Sequence, residues 1–214
     1  MLDVGCGTGI AAVALAARGS SVLGVEPDER MAAHARDRGV EVEVATFESW
    51  DAAGRTFDLL TSGQAWHWVD PVLGARKAAS VLVPGGRIAL FWNQGHPEEA
   101  VREGFDAVYQ SKAPETDKYS IMFRNPSTAR YESAFGVLRG EGGFLEVEVR
   151  AYPWERTYSR DEWLDQLVTH SDHRVMDPDA RGTLLAAIGD VIDDNGGSFS
   201  MRYTCNLVTG VRPG

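Results

Sequence analysis

The first nine residues, Met1-Leu2-Asp3-Val4-Gly5-Cys6-Gly7-Thr8-Gly9, constrain this chain more than any other stretch. Leu2 and Val4 suit a buried parallel strand, and Ile10 to Ala17 is rich in strong helix formers whose apolar side can pack on a sheet. Between them glycine occupies alternate positions. Glycine lets the backbone turn sharply and lets a ligand approach main-chain N–H groups with no Cβ in the way, and a helix N-terminus favours polar or anionic groups. Strand, glycine loop and helix in this order predict a site for a ligand with a carboxylate or sugar hydroxyls. The plainer reading of the same residues is a structural turn before a helix.

A dinucleotide fingerprint needs G-x-G-x-x-G/A, with a third small residue for close helix packing. Here Ile10 stands at that position. The spacing is D-x-G-x-G-x-G, which resembles the first motif of the class I S-adenosylmethionine (SAM)-dependent methyltransferases. The resemblance implies an α/β fold with a Rossmann-like sheet, mostly parallel with one antiparallel late strand, and helices on both faces. It also implies SAM as cofactor.

Two further segments keep this register. Ser21 to Glu26 reads as a second buried strand ending in an acid, and an acid there can accept hydrogen bonds from both ribose hydroxyls of a ligand at the strand ends. Capping of the next helix, which Pro27 and Asp28 would open, is the competing role. A fourth strand, Phe57 to Ser62, runs into Gly63-Gln64-Ala65-Trp66-His67-Trp68, which resembles the "Q-A-x-H-W" segment of small-molecule methyltransferases. Core packing is the expectation for each indole taken alone. If strand geometry persists, Trp66 and Trp68 point one way and His67 the other. The helix from Asp70-Pro71 to about Leu82, with Arg76 and Lys77 on its outer face, then the turn Pro84-Gly85-Gly86 and the strand Arg87 to Asn93 complete a third family-like succession.

The resemblance thus covers residues 1 to 93. It implies a cofactor-binding set of Asp3, Gly5, Cys6, Gly7, Gly9, Glu26, Pro27, Met31, Phe47, Glu48, Gly63 and Gln64. Within it Phe47 would cover the adenine ring and Glu48 would meet its amino group, unless Glu48 simply opens a short helix. His67 is the candidate catalytic residue, a general base if the acceptor must lose a proton. The helices that the resembled family usually carries ahead of the first strand have no counterpart here, so either the reading frame extends upstream of Met1, which is the expectation, or the domain works with an open site.

From Gly95 the regularity breaks. Residues 1–214 are read as a single methyltransferase domain, with 95–143 as a helical lid inserted for substrate contacts. Phe144 to Val149 resumes strand alternation, Ser159-Arg160-Asp161-Glu162 is a capping box, Asp177-Pro178 opens another helix, and the segment from Phe199 to Thr209 is a long strand. His170 and His173 with Asp172 have a spacing that a metal site can use, but two histidines on a polar helix end are ordinarily solvated, and no metal is expected.

With 31 acidic against 21 basic residues the formal charge is −10, which disfavours a nonspecific grip on nucleic acid or anionic lipid. The partner expected is a small-molecule substrate, with no nucleic acid and no membrane. Two cysteines are too few for a disulfide framework, and the chain reads as cytoplasmic. The function expected is SAM-dependent methyl transfer to a small acceptor. A noncatalytic SAM-binding or partner-binding domain is the alternative, and a dinucleotide oxidoreductase stands third.

Overall fold

The computed structural model describes residues 1–114, 129–169, 173 and 175–214. Three short strands, β1 (Leu2–Val4), β2 (Leu23–Val25) and β3 (Glu41–Glu43), alternate with helices α1 (Ile10–Ala16) and α2 (Glu29–Asp37). All three residues of β1 are buried, as a central strand covered on both faces requires. β1 pairs in parallel with β2, Val4 opposite Val25, and with β4 (Phe57–Gly63), Leu2 opposite Leu60. Asp28 caps α2 by accepting the Arg30 amide at 2.9 Å, and Asp70 caps α3 (Pro71–Val81) by accepting the Val72 and Leu73 amides. Both helices therefore start where an aspartate beside a proline predicts.

β5 (Leu82–Pro97) is longer than the sequence suggests, beginning directly after α3. The Pro84-Gly85-Gly86 segment is a bulge inside it, where the register on β4 slips between Phe57–Leu82 and Leu59–Arg87. Gly85 takes φ +78, and a Cβ on Gly86 would come within 2.8 Å of the Val83 carbonyl. After β5 come α4 (Glu99–Lys112), α5 (Ala129–Arg139), β6 (Leu145–Ser159), α6 (Arg160–Val168), α7 (Pro178–Asp194) and β7 (Ser198–Val211). The expected capping box at Ser159 is formed in full, with Glu162 returning the bond.

The sheet order is β3-β2-β1-β4-β5-β7-β6. β7 runs antiparallel to β5, as the bonds Gly85 N to Arg212 O and Glu98 N to Ser200 O require, while the earlier pairs are parallel. The fold is the expected α/β class.

The described residues fall into two compact units, one from 1–92, 129–151 and 206–214, the other from 93–114, 152–169, 173 and 175–205. The strands β5, β6 and β7 contribute residues to both. In the first unit Leu2, Leu60, Ile88, Leu90 and Val208 are fully buried together, and each such aliphatic contributes roughly 1.5–3 kcal/mol of transfer free energy. A smaller cluster of Ala12, Ala32, Ala35, Val40 and Val42 joins α1 and α2 to the sheet. The second unit is built on aromatic packing, with Phe105 stacked on Trp163 and Phe199 meeting both edge to face. Residues 115–128, within the predicted lid, and His170 and Asp172 lie outside the described residues.

Candidate active site

The three loop glycines all take positive φ, +66, +56 and +81 for Gly5, Gly7 and Gly9, but for different local reasons. A Cβ on Gly5 would stand 2.4 Å from the Ala65 Cβ, and one on Gly9 would press on Ala35 and Val40 at 3.1–3.2 Å. Around Gly7 a Cβ would meet nothing within 4 Å. Gly5 therefore lets the loop lie against the segment after β4, Gly9 lets α1 approach α2, and Gly7 alone faces open space. The amides of Gly5 and Cys6 both point at the Val25 carbonyl, which fastens the loop to the end of β2.

Glu26 follows β2 and is 6% exposed. Its Oε2 accepts the Gly7 amide at 2.9 Å and its Oε1 accepts the Asp28 amide at 3.0 Å. A carboxylate has about four lone-pair sites, so these two bonds orient the group and leave each oxygen a lone pair for a further donor. Pro27 is exposed beside it and Met31 is half-buried in the first turn of α2.

Asp3 is buried in β1. Thr61 donates to its Oδ1 at 2.9 Å, whereas Oδ2 is a buried oxygen with no hydrogen-bond partner. Desolvation pushes the carboxyl up to about 6, against the lowering effect of Thr61. Burial and, after it, the neighbouring Asp3 and Glu26 charges push the Cys6 thiol up to about 12, so Cys6 is a small neutral filler whose sulfur lies where a Gly24 side chain would be.

At the end of β4, Gly63 admits the Phe91 ring, 2.7 Å from where a Cβ would sit. Gln64 takes φ +59, uncommon for a non-glycine residue, and its amide bonds the Phe91 carbonyl at 2.9 Å. Trp66–Trp68 forms a 3-10 turn, closed by Trp68 N to Ala65 O and Val69 N to Trp66 O. The expected strand alternation is thus corrected: three residues per turn send consecutive side chains in three directions. Trp66 is buried in the core, Trp68 is 77% exposed, against the expectation of core packing, and His67 lies between these extremes. The His67 ring packs 4.9 Å from that of Trp68, and its Nδ1 receives the Trp92 indole N–H at 3.4 Å. Trp92 is the neighbour that reading the sequence missed; an aromatic at the end of an adjacent strand was the only signal.

Phe47 and Glu48 are held by other partners. Phe47 is 3% exposed, packed against Trp50 and Trp66 with the Lys77 ammonium over its ring at 5.6 Å. Glu48 accepts the Asp70 amide at 2.7 Å, so its carboxylate steadies the start of α3. Lys77 does not point outward as expected. Its ammonium lies over the Phe47 and Trp50 rings and bonds the Glu48 and Trp50 carbonyls, with burial lowering its pKa.

In the second unit a cavity of about 490 Å³ is lined by His96, Trp154, Arg202 and Tyr203 among others; of these His96 falls within the predicted 95–143 segment, and none belongs to the predicted cofactor-binding or catalytic set. Among the described residues no cluster of three metal-ligating side chains occurs, and no helix is long and apolar enough to cross a membrane. His173 is buried against Tyr109, 3.1 Å from its hydroxyl.

Comparison with known proteins agrees with this geometry. Residues 2–90 match the family model described as "Methyltransferase domain". An uncharacterised methyltransferase of Mycobacterium bovis is 37% identical over 95 residues, covering 44% of this chain and 39% of that protein. A demethylmenaquinone methyltransferase of Clavibacter sepedonicus is 29% identical over 170 residues, covering 77% of this chain and 62% of its own length. The chain therefore spans less than two thirds of either relative. A candidate type II methyltransferase structure from Anaeromyxobacter dehalogenans superposes with a TM-score of 0.66 at 22% identity, over 99% of this chain and 89% of that one, which establishes the fold. From the first strand and its glycine loop into the fifth strand, residues 2–90 of this chain are thus similar to the methyltransferase-domain family.

Proposed function

We propose that this chain binds SAM at the loop from Gly5 to Gly9 and transfers its methyl group to a small-molecule acceptor. The observation that carries the reading is Glu26, a buried carboxylate held by the Gly7 and Asp28 amides with lone pairs to spare, next to the one loop glycine that faces open space. Such a carboxylate suits two vicinal ribose hydroxyls. Asp3, Cys6, Pro27, Met31, Gly63 and Gln64 complete the proposed binding set around that anchor. Glu48 belongs to it as well, since the one Asp70 amide on its Oε1 leaves the carboxylate further lone pairs, and Phe47 belongs to it as an apolar neighbour packed on Trp66.

SAM supplies a methyl carbon already activated by its sulfonium, so the protein's share is alignment of the acceptor and exclusion of water. His67 is the residue proposed to meet the acceptor, and residues 95–143 are proposed to supply further substrate contacts. The acceptor class rests on the small-molecule relatives and on the net charge of −10, unsuited to a nucleic acid. A cytoplasmic site of action is part of the same reading and rests on two free cysteines.

The test is calorimetric titration with S-adenosylhomocysteine and, separately, NADH, followed by assay of methyl transfer from SAM to a panel of quinol and catechol acceptors. Binding of S-adenosylhomocysteine but not NADH is expected. Preference for NADH would reject the reading, and cofactor binding without turnover on any acceptor would favour a noncatalytic domain.

A further inference from the structure

We propose that the cavity of the second unit binds a zwitterionic small molecule of amino-acid type, holding its carboxylate on Arg202 and its ammonium on Glu155. The cavity measures about 490 Å³, within the range of roughly 300–1,000 Å³ that small-molecule sites occupy. Its lining comes from three neighbouring strands, with His96 from β5, Pro153 and Glu155 from β6, and Arg202 from β7. The Tyr203 ring fills the space of a Gly95 Cβ, 2.7 Å away, and stacks on the Trp154 ring at 4.2 Å, so Gly95, Tyr203 and Trp154 share one face of these strands. Each has a polar neighbour in sequence, His96, Arg202 and Glu155 respectively. Strand alternation gathers those three polar side chains on the other face.

The register between β6 and β7 brings the two charges together. Trp154 stacks on Tyr203 and the Thr157 hydroxyl meets that of Ser200 at 3.4 Å, which sets Glu155 across from Arg202. Among the described residues neither of these two side chains has an ion-pair or hydrogen-bond partner. A ligand with a single charge would satisfy one of them and bring a like charge to the other, and a neutral ligand would strip water from both without return. A carboxylate and an ammonium on one small molecule complement the pair. The Arg202 guanidinium takes a carboxylate with two parallel N–H bonds, Glu155 accepts from the ammonium, and His96 adds a ring nitrogen beside them. Pro153 gives the cavity an apolar wall for the ligand's side chain.

The experiment is calorimetric titration of the whole chain, without SAM, with L-phenylalanine, with 3-phenylpropanoate, which lacks the ammonium, and with 2-phenylethylamine, which lacks the carboxylate. L-phenylalanine should bind at least about tenfold more tightly than either fragment, because only it satisfies both charges. Arg202→Met should weaken L-phenylalanine and tighten 2-phenylethylamine, whereas Glu155→Gln should weaken L-phenylalanine and tighten 3-phenylpropanoate. Opposite responses of the two fragments are something a merely structural loss does not produce. Both side chains are exposed, so the variants should fold, and circular dichroism checks that they do. An affinity for L-phenylalanine no greater than that for the fragments would mean that Arg202 and Glu155 satisfy each other in solution, and overturns the proposal. Folded variants that bind all three probes as the parent does overturn it as well. None of these titrations involves the cofactor, so a chain that fails to bind S-adenosylhomocysteine would reject the proposed function and leave this site to be judged on its own.

Discussion

Glu26 and Gly7 are joined by a 2.9 Å hydrogen bond from the glycine amide to Oε2, so the acid at the end of the second strand and the middle of the glycine loop form one rigid unit. The carboxylate also takes the Asp28 amide through Oε1, which ties the same group to the start of α2. Its direction is thereby set before a ligand arrives, and a preset acceptor loses less freedom on binding.

Replacing Glu26 by alanine should weaken S-adenosylhomocysteine binding by about 1.5–3 kcal/mol, the usual worth of hydrogen bonds to a charged acceptor. Glu26→Gln should fail as well, because one oxygen becomes an NH₂ group facing a backbone N–H. Calorimetry on folded variants decides the matter. Undiminished affinity in both would remove Glu26 from the site.

The loop glycines should separate by phenotype. Gly5→Ala and Gly9→Ala force a Cβ against Ala65 or Ala35 and should lower thermal stability markedly. Gly7→Ala meets no neighbour, so its cost in the free protein is only left-handed backbone strain of roughly 1–2 kcal/mol. It should nevertheless lose cofactor affinity by more than that strain explains. If Gly7→Ala binds normally, the loop is a turn and no more.

How much of this could be read in advance differs by residue. Residues with local physical signatures were legible: the buried strand of Leu2 and Val4, the caps at Asp28, Asp70 and Ser159, and the acid at Glu26. What escaped depends on the partner a side chain finds across the fold. Lys77 looks like surface until the Phe47 and Trp50 rings draw its ammonium inward, and nothing local to Glu48 announces the Asp70 amide that its carboxylate accepts. The strand beginning at Leu82 was hidden because Pro84-Gly85-Gly86 has the composition of a turn, whereas pairing with β4 and with Arg212 makes it a bulge.

The tryptophans of the 3-10 turn give a stability test. Trp66 is 4% exposed in the main core and Trp68 is 77% exposed. Trp66→Ala should cost about 3–5 kcal/mol in chemical denaturation. Trp68→Ala should stay within about 0.5 kcal/mol, as expected of a surface position. Equal losses would mean that the segment continues as a strand in solution, with both rings on one face.

Asp3 supplies a pH-dependent prediction whose sign can be worked out. Its carboxyl is raised from an ordinary value of 3.8 to about 6 by burial, so the native state holds this proton more tightly than the unfolded chain does. Below the ordinary value both states are protonated and Asp3 carries no penalty. As pH rises towards and through 6 the native state must ionise a buried group, and stability is lost, on the order of 3 kcal/mol for a shift of this size. Asp3→Asn removes the titration while keeping an oxygen for the Thr61 hydroxyl. The variant should therefore be more stable than the parent at pH 7.5, and the two should converge near pH 4. Urea denaturation at these two pH values provides the comparison. A variant that is less stable at pH 7.5 by the same margin as at pH 4 would mean that the unpartnered Oδ2 finds a donor in solution, and that the native protein keeps Asp3 ionised without cost.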